Sequence, residues 1–283
     1  MPLQPGLYVA ATPIGNLKDI TYRAVEALKE ADRILCEDTR QTAKLCAAYG
    51  ITTPRSAYHD HNGDRVRPGL IKALQDGAAI CLVSDAGTPL ISDPGMKLVR
   101  DARAAGVRVT PLPGACAAIT ALSGAGFPSD RFLFAGFPPA KAAARERFFS
   151  ALKNVDATLV FYESAGRLGA SLQAMASAFG ERTGVVAREL TKKFETFDEA
   201  SLPALADKYE AAPTKGEIVV LVSPGKEKAA PREDEVSAFL KSALQAMSVK
   251  DAANAAAEAL GVPKKAAYEM ALAIRNRPNN VDD

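Results

Sequence analysis

Two acidic residues, a threonine and an arginine stand together at Glu37-Asp38-Thr39-Arg40, directly after the apolar segment Arg33–Cys36. One of these carboxylates could position a substrate or act as a base, and Arg40 could clamp a phosphate. The same residues are also typical of a helix N-terminus, where acidic side chains interact favourably with the helix dipole. The segment therefore predicts either a ligand-binding loop or an ordinary helix start.

A second polar segment, Ser84–Gly95, reads S-D-A-G-T-P-L-I-S-D-P-G and follows the apolar run Ala79–Val83. Such a run has the length and composition of a buried strand. The two glycines of the segment allow its backbone to approach a ligand closely, and the two prolines restrict it. A loop that follows a strand of an α/β sheet is a common ligand site, although the composition also suits a plain strand–loop–helix connection.

The elements that position these segments alternate between strand and helix. Strands are predicted at Gly6–Ala11, Arg33–Cys36, Ala79–Val83 and Val107–Leu112, and helices at Thr21–Ala31, Thr42–Tyr49, Arg67–Gln75 and Gly95–Ala105. This alternation predicts a mostly parallel sheet with helices on its faces. Four polar loops should then meet at one edge of the sheet, namely Thr12–Asn16, Glu37–Arg40, Ser84–Gly95 and Pro113–Ala117. The two histidines, His59 and His61, are expected in a surface loop.

The second half of the chain repeats this pattern after a Gly- and Pro-containing interruption at Gly124–Arg131. Strands are predicted at Arg131–Ala135, Thr158–Tyr162, Gly184–Ala187 and Glu217–Val222, and helices at Ala144–Lys153, Leu168–Phe179 and Pro203–Glu210. The sequence therefore predicts two α/β domains, residues 1–124 and 125–224, with a ligand cleft between them. The polar segment Ser223–Arg232 is typical of a linker.

The last residues, 233–283, have the pattern of a separate helical domain. Helices are predicted at Glu233–Met247, Val249–Leu260 and Pro263–Ile274, with Ser248 as an N-cap and Gly261 as a C-cap. The last two helices form a helix–turn–helix pattern. Positive charge gathers on or near the third helix, at Lys264, Lys265, Arg275 and Arg277. This charge suits nucleic-acid contact, and equally a solvated helix face.

Composition and known motifs exclude several classes of protein. The net charge of +2 is too small to identify a partner. Four dispersed cysteines, without a C-x-x-C pair, predict buried reduced thiols and no metal site. The P-loop, the dinucleotide fingerprint and the common hydrolase motifs do not occur. The N-terminal residues lack the pattern of a signal peptide, and no apolar run has the length of a membrane span, so a cytoplasmic location is expected.

Seven stretches of the chain, in the same order, resemble the RsmI-type methyltransferases. This family modifies a ribose 2′-hydroxyl of small-subunit rRNA and belongs to the tetrapyrrole methylase superfamily, class III of the S-adenosylmethionine enzymes. The similar stretches are LYVAATPIGNLKD (7–19), ILCEDTR (34–40), SDAGTPLISDPG (84–95), PLPGACA (111–117), FYESAGR (161–167), ARELT (187–191) and GEIV (216–219).

The resemblance implies two α/β domains of the tetrapyrrole methylase type, a cofactor cleft between them and a small C-terminal helical domain. It implies S-adenosylmethionine as cofactor and a homodimer. The residues implied to bind the cofactor are Thr12, Pro13, Gly15, Asp85, Ala86, Gly87, Thr88, Ile91, Ser92, Pro113, Gly114, Ala115, Cys116, Ala117, Tyr162, Leu190, Gly216, Glu217 and Ile218.

The implied substrate is a cytidine in the decoding region of small-subunit rRNA, either naked or in an assembled subunit. Because a ribose hydroxyl is a weak nucleophile, a nearby base would help, and Asp38, Asp85 and Glu163 are the candidates. The basic candidates for RNA contact are Arg40, Arg188, Lys192, Lys193, Lys264 and Lys265. Two alternatives stay open, a methyltransferase acting on a small tetrapyrrole-like molecule and a non-catalytic RNA-binding protein.

Overall fold

The first half of the chain forms a wholly parallel sheet in the computed structural model, which describes residues 3–225 and 233–276. The strands are β1 (Gly6–Ala10), β2 (Arg33–Cys36), β3 (Arg55–Ala57), β4 (Ala79–Val83) and β5 (Val109–Leu112). They lie side by side in the order β3-β2-β4-β1-β5, and every neighbouring pair is parallel. The predicted sheet is confirmed, and its four polar loops all leave from the carboxyl ends of strands.

Helices cover both faces of this sheet because its strands are apolar on both sides. The helices are α1 (Tyr22–Glu30), α2 (Thr39–Tyr49), α3 (Asp60–Gln75) and α4 (Met96–Ala104). Alternate strand residues enter different cores: Cys81 packs with residues of α1 and α2, whereas Ile80 and Leu82 pack with residues of α3 and α4. A strand buried on both faces reads as the continuous apolar run seen at Ala79–Val83.

The second sheet is mixed rather than parallel. Its strands are β6 (Phe132–Gly136), β7 (Thr158–Ser164), β8 (Thr183–Arg188), β9 (Thr196–Ser201) and β10 (Glu217–Val222), in the order β6-β7-β10-β8-β9. The pair β6–β7 is parallel and the other pairs are antiparallel. Three helices pack on one face, α6 (Ala142–Leu152), α7 (Leu168–Phe179) and α8 (Leu202–Ala211).

A helix that the sequence did not predict, α5 (Ala117–Ala125), covers the other face of the second sheet. Its buried residues Ala118, Ala121 and Leu122 pack against Val160 and Leu221 of that sheet. The chain therefore passes from the first sheet to the second within the segment after β5. Both sheets belong to one compact unit that ends at Gly225.

The C-terminal unit consists of α9 (Glu233–Ala243), α10 (Val249–Leu260) and α11 (Lys264–Arg275). The Ser248 side chain accepts a hydrogen bond from the Asp251 N–H, and Gly261 ends α10 in the left-handed conformation at φ 73°. Small side chains, among them Ala252, Ala256 and Ala267, let the three helices pack closely. The predicted helix–turn–helix pattern is confirmed, while Arg277 lies outside the described residues.

Several sequence-based expectations about elements were wrong. The helix predicted from Arg67 begins at Asp60, so His59 is an N-cap and His61 is helical rather than part of a loop. This start is fixed by Asn62, whose side-chain oxygen accepts from the His59 N–H at 2.9 Å. Strands β3 and β9 were not predicted, because β3 has three residues and β9 is a polar strand at a sheet edge. The domain bounds 1–124, 125–224 and 233–283 stay predictions.

Among the described residues, no helix is long and apolar enough to cross a membrane.

Candidate active site

Hydrogen bonds join the four polar loops at the carboxyl edge of the first sheet. Thr12 and Gly87 exchange two backbone hydrogen bonds, of 2.9 and 3.0 Å. The hydroxyl of Thr88 donates to the Ala115 carbonyl at 2.9 Å, and the Asp38 N–H donates to the Asp85 carboxylate at 3.0 Å. The prediction that these loops meet at one edge is confirmed, and each loop holds its neighbour in place.

The backbone of these loops is packed tightly and partly strained. A Cβ on Gly114 would lie 2.6 Å from the Ala11 side chain, so this position requires glycine. Leu90 and Ser92 have φ values of 74° and 65°, in the left-handed region that non-glycine residues seldom adopt. Such strain persists where surrounding structure enforces it, and it is frequent at ligand sites.

A cavity of about 440 Å³ opens between these loops and the second sheet. Twelve of the predicted cofactor-binding residues line it, namely Asp85, Ala86, Gly87, Thr88, Ile91, Ser92, Ala117, Tyr162, Leu190, Gly216, Glu217 and Ile218. Both sheets contribute to the wall, and the volume is in the range of small-molecule sites. The cavity is therefore the candidate cofactor site.

The other predicted cofactor residues lie beside this wall. Thr12, Pro13 and Gly15 line a smaller cavity of about 180 Å³, which shares Asp85 with the large one. In the segment Pro113–Cys116, Gly114 packs against Ala11, and the Ala115 carbonyl accepts a hydrogen bond from the Thr88 hydroxyl of the wall. Their direct contact with a cofactor stays a prediction.

The wall of the second sheet includes a strained loop around Leu190. Glu189 and Thr191 have φ values of 55° and 66°, and Leu190 between them is 6 % exposed and lines the cavity. The Asn16 N–H donates to the Thr191 hydroxyl at 3.1 Å. This hydrogen bond ties the second-sheet loop to the first loop of the other sheet.

The three carboxylates predicted as candidate bases have different surroundings. Asp38 is held by Arg40, whose guanidinium lies 2.7 Å away and lowers the pKa of this carboxyl to about 2. The Glu163 side chain is fully buried, and its oxygens accept from the Ser171 hydroxyl, the Ser164 N–H and Arg167. Asp85 is exposed at the cavity wall and accepts from the Asp38 N–H. Asp38 and Glu163 thus have structural partners that a base would have to release.

Sequence reasoning missed two residues of the large cavity that have the chemistry of a site. Asp93 lines the cavity and is partly buried, and burial together with the nearby Glu37 and Asp85 raises the pKa of its carboxyl to about 6. Phe137 also lines it, and 53 % of this aromatic residue is exposed. Asp93 lies inside the polar segment Ser84–Gly95, so its position was available as a signal. Phe137 follows β6 directly, which is a weaker signal.

The basic residues predicted to contact RNA are not equally available. Arg40 and Lys193 are exposed, and the Lys193 ammonium lies 5.5 Å from the centre of the exposed Phe194 ring. Lys192 lies between two carboxylates, at 2.9 Å from Glu189 and 3.1 Å from Glu217.

The remaining predicted RNA contacts are on two different units. Arg188, at the end of β8, is partly buried and reaches the Lys215 carbonyl at 3.5 Å. Lys264 and Lys265 are both exposed in the first turn of α11. The role of all six basic residues in RNA binding stays a prediction.

The cysteines are free thiols, and Cys36, Cys46 and Cys81 are buried as expected, whereas Cys116 is only partly buried. Burial raises the pKa of Cys81 to about 12, so this thiol is unreactive. Within the described part of the chain, no group of three or more histidine, cysteine, aspartate or glutamate side chains is placed to hold a metal ion.

Two family models match the chain. The model of the tetrapyrrole (corrin/porphyrin) methylases matches residues 6–206. The model of the RsmI C-terminal HTH domain matches residues 230–275.

Relatives with a known name match over almost the full length. The ribosomal RNA small subunit methyltransferase I of Mesorhizobium japonicum is 49 % identical over 283 residues, covering 99 % of this chain and 96 % of that protein. The protein of the same name from Escherichia coli O157:H7 is 49 % identical over 275 residues and covers 95 % of each chain.

The fold is also that of solved methyltransferase structures. Uroporphyrin-III C-methyltransferase from Thermus thermophilus, complexed with S-adenosylhomocysteine, superposes with a TM-score of 0.53 at 17 % identity, covering 76 % of this chain and 96 % of that one. At this identity the likeness concerns the fold. The full-length match to named relatives, together with the two family models, shows that the chain belongs to the ribosomal RNA small subunit methyltransferase I family, within the tetrapyrrole methylases.

Proposed function

We propose that this protein transfers a methyl group from S-adenosylmethionine to the ribose 2′-hydroxyl of a cytidine in the decoding region of small-subunit rRNA. The observation that supports the proposal most directly is the large cavity, which is built from both sheets and lined by twelve residues of the motifs that resemble the family. The relatives are named as methyltransferases of small-subunit ribosomal RNA. The 2′-hydroxyl and the cytidine come from the resemblance of the sequence motifs.

The lining of the cavity fits S-adenosylmethionine chemically. Ile14, Leu190 and Ile218 form an apolar wall that suits an adenine ring and a thioether chain, and Asp85 and Glu217 supply negative charge for a cationic ligand. At Gly87 a Cβ would lie 3.2 Å from Ile14, so the absence of a side chain there lets Ile14 pack against this part of the wall. When bound, the cofactor supplies a methyl group on a positively charged sulfur.

The protein's own residues would act mainly by positioning the two reactants. Methyl transfer is a displacement along one line, so holding the acceptor oxygen in that line provides much of the acceleration. The strained residues Leu90 and Ser92, and Glu189 and Thr191 on the other wall, hold the cavity in one shape before any ligand binds. Such preorganisation lowers the cost of ordering the site during the reaction.

The C-terminal unit is proposed to bind the RNA. Its three helices have the helix–turn–helix arrangement, in which the second helix of the motif commonly contacts nucleic acid. Here that helix is α11, and Lys264 and Lys265 are exposed at its start. Exposed lysines would contact phosphates and make binding dependent on salt. We further propose a homodimer that acts in the cytoplasm, where its ribosomal substrate would be found.

The proposal is tested with small ribosomal subunits that lack this methyl group. The subunits, or the naked rRNA, are incubated with the protein and S-adenosylmethionine carrying an isotope-labelled methyl group. Mass spectrometry of the digested RNA should show one labelled 2′-O-methylcytidine. A label on a base, or no label in either form of RNA while calorimetry shows that the cofactor binds, would contradict the proposal and favour a small-molecule substrate.

A further inference from the structure

Asp93 separates two neighbouring cavities. It lines the large cavity described above and also a second one of about 120 Å³, formed beside the N-terminal turns of α3 and α4. Asp93 is the residue that the two linings have in common. A molecule that reaches the large cavity through this junction would therefore meet the Asp93 side chain.

The Asp93 carboxylate is free to accept a proton. Among the residues described, it has neither a hydrogen bond nor an ion pair, and it is partly buried. Asp38 and Glu163 differ from it because their oxygens are engaged by Arg40 and by Ser171 and Arg167. Asp85 is the remaining rival, and one of its oxygens accepts from the Asp38 N–H.

An aromatic surface lies next to the same junction. Phe137 lines the large cavity, and its ring packs edge to face on Tyr162 with the ring centres 5.5 Å apart. The preceding residue, Gly136, is so close to Ser92 that a Cβ would lie 3.6 Å from its hydroxyl. Phe137 therefore stands beside the segment that carries Asp93, and an exposed ring of this kind can stack on an unpaired nucleobase.

On the basis of the proposed ribose methylation, we propose that Asp93 is the catalytic base, and that its carboxylate takes the 2′-hydroxyl proton of a nucleoside held at the junction of the two cavities. The 2′ oxygen forms its new bond to the methyl carbon while the bond between that carbon and sulfur breaks. The electron pair of the broken bond stays on sulfur, and the second product is S-adenosylhomocysteine. The proton of the 2′-hydroxyl passes to Asp93 and from there to solvent.

The charges around Asp93 suit this role. Burial, followed by the negative charges of Glu37 and Asp85, makes its carboxylate more basic than an ordinary aspartate and gives a pKa of about 6. A base of this strength is ionised at neutral pH and close to the optimum for proton transfer. The charged and titratable groups that line the small cavity with it are Tyr58, His59, Asp60, Asp64, Arg67 and Lys97. Those that line the large cavity with it are Asp85, Tyr162, Glu163 and Glu217.

The test compares Asp93→Asn with Asp85→Asn and Asp93→Glu in single-turnover methylation of undermethylated small subunits. Asp93→Asn should lower the rate at least about 100-fold, as expected for loss of a general base, while calorimetry gives an unchanged dissociation constant for S-adenosylmethionine. Asp93→Glu should restore part of the rate. With S-adenosylmethionine at a saturating concentration for each variant, Asp85→Asn should lose less activity than Asp93→Asn.

A second readout uses the protein without cofactor or RNA. In protein labelled with ¹³C at the aspartate carboxyl carbons, one signal should titrate near pH 6 and should disappear in Asp93→Asn. A midpoint below about 4, the value of an ordinary aspartate, would overturn the assignment.

The two proposals can fail separately. If the wild-type protein does not methylate the ribose, the proposed function is wrong, whatever Asp93 does. If the wild type is active and Asp93→Asn keeps more than about a hundredth of its rate at pH 8, or Asp85→Asn is the slower variant, Asp93 is not the base, because a general base contributes about 100-fold or more.

Discussion

Thr12 and Gly87 are joined by two backbone hydrogen bonds, and the side chain of Ile14 lies over Gly87. Gly87 has a φ of 83°, and a Cβ there would lie 3.2 Å from the Ile14 methyl group. The backbone conformation therefore favours glycine at this point of the cavity wall, and a side chain there would press on Ile14.

Gly87→Val should weaken the binding of S-adenosylmethionine at least about tenfold, equivalent to about 1.4 kcal/mol, because the new side chain displaces Ile14 or the loop. Calorimetry on the purified variant measures this. The matched control is Gly77→Val, where φ is 99° and a Cβ would meet open space. Both variants carry backbone strain, so equal losses of affinity would show that strain alone, rather than the cavity wall, is responsible.

The position of Lys192 predicts a stabilising role. Lys192→Met leaves the carboxylates of Glu189 and Glu217 without their shared partner, and Glu189 is 20 % exposed. The free energy of unfolding should fall by about 1–2 kcal/mol at neutral pH. The control Lys72→Met breaks a surface pair with Asp76, whose side chains are 76 % and 62 % exposed, and should cost less than about 0.5 kcal/mol. Denaturant titration compares the two, and equal effects would contradict a structural role of Lys192.

The ion pair between Lys192 and Glu189 also predicts that the free energy of unfolding depends on pH. Lys192 lowers the pKa of Glu189 below its ordinary value through a hydrogen bond and its charge. A carboxyl whose pKa is lowered by folding stabilises the protein above its unfolded pKa, and this contribution is lost as the pH falls through the folded pKa. The difference between wild type and Lys192→Met should therefore be largest near about pH 7 and shrink toward about pH 3. A constant difference over this range would indicate lost packing of the lysine stem instead.

The carboxylate of Asp93 predicts the opposite dependence of folding stability on pH. Its pKa is raised by folding to about 6, so the ionised carboxylate destabilises the folded protein as the pH rises from about 4 to about 6. Asp93→Asn should therefore be more stable than wild type at pH 7, by about 1 kcal/mol after allowance for solvent screening. Near pH 3.5 the two should unfold alike, since an ordinary aspartate is then largely protonated. Thermal unfolding at several pH values checks this, and a variant less stable at pH 7 would contradict it.

The exposed ring of Phe137 predicts that its removal weakens the binding of RNA rather than the binding of the cofactor. Phe137→Ala should raise the KM for small subunits about tenfold, because one stacked base contributes about 1–3 kcal/mol. Its removal should leave the free energy of unfolding nearly unchanged, since 53 % of the residue is exposed. The control Phe132→Ala removes a ring of similar exposure, 42 %, from the opposite end of β6. Equal changes in KM for the two variants would exclude base stacking at Phe137.

The sequence predicted the first sheet well because local pattern and global fold agree there. The run Ala79–Val83 is apolar at every position, and the strand it predicts is buried at every position. Strand β9, T-F-D-E-A-S, has the opposite character, since it is held by pairing with β8 along a polar edge. Helix α5 was missed because its Gly124 was interpreted as a break, whereas this glycine gives room to the Phe197 ring.

The residues of the candidate site divide in the same way, into those that the local sequence predicts and those whose role depends on long-range contacts. Asp85, Gly87 and Thr88 were found from a local motif, and they line the cavity. The environment of a carboxylate depends on residues distant in sequence, and this could not be predicted. Glu163 pairs with Arg167 and accepts a hydrogen bond from Ser171 of α7, whereas Asp93 is exposed to the negative charges of Glu37 and Asp85, which come near it only when the loops assemble. The motif therefore gave the location of the site, and the long-range contacts distinguish the roles of its acids.

The C-terminal unit predicts a salt-dependent contribution to RNA binding. Replacing both Lys264 and Lys265 with glutamate should weaken binding of the small subunit and reduce the slope of log affinity against log salt by about 1–2. The control replaces Lys241 and Lys250 with glutamate, which makes the same change of charge at exposed positions of α9 and α10. Filter binding at several salt concentrations measures both variants, with calorimetry confirming unchanged cofactor affinity. If α11 contacts phosphates directly, the first variant loses more affinity than the control. Equal losses of affinity would mean that RNA binding depends on the net charge of the unit rather than on the lysines at the start of this helix.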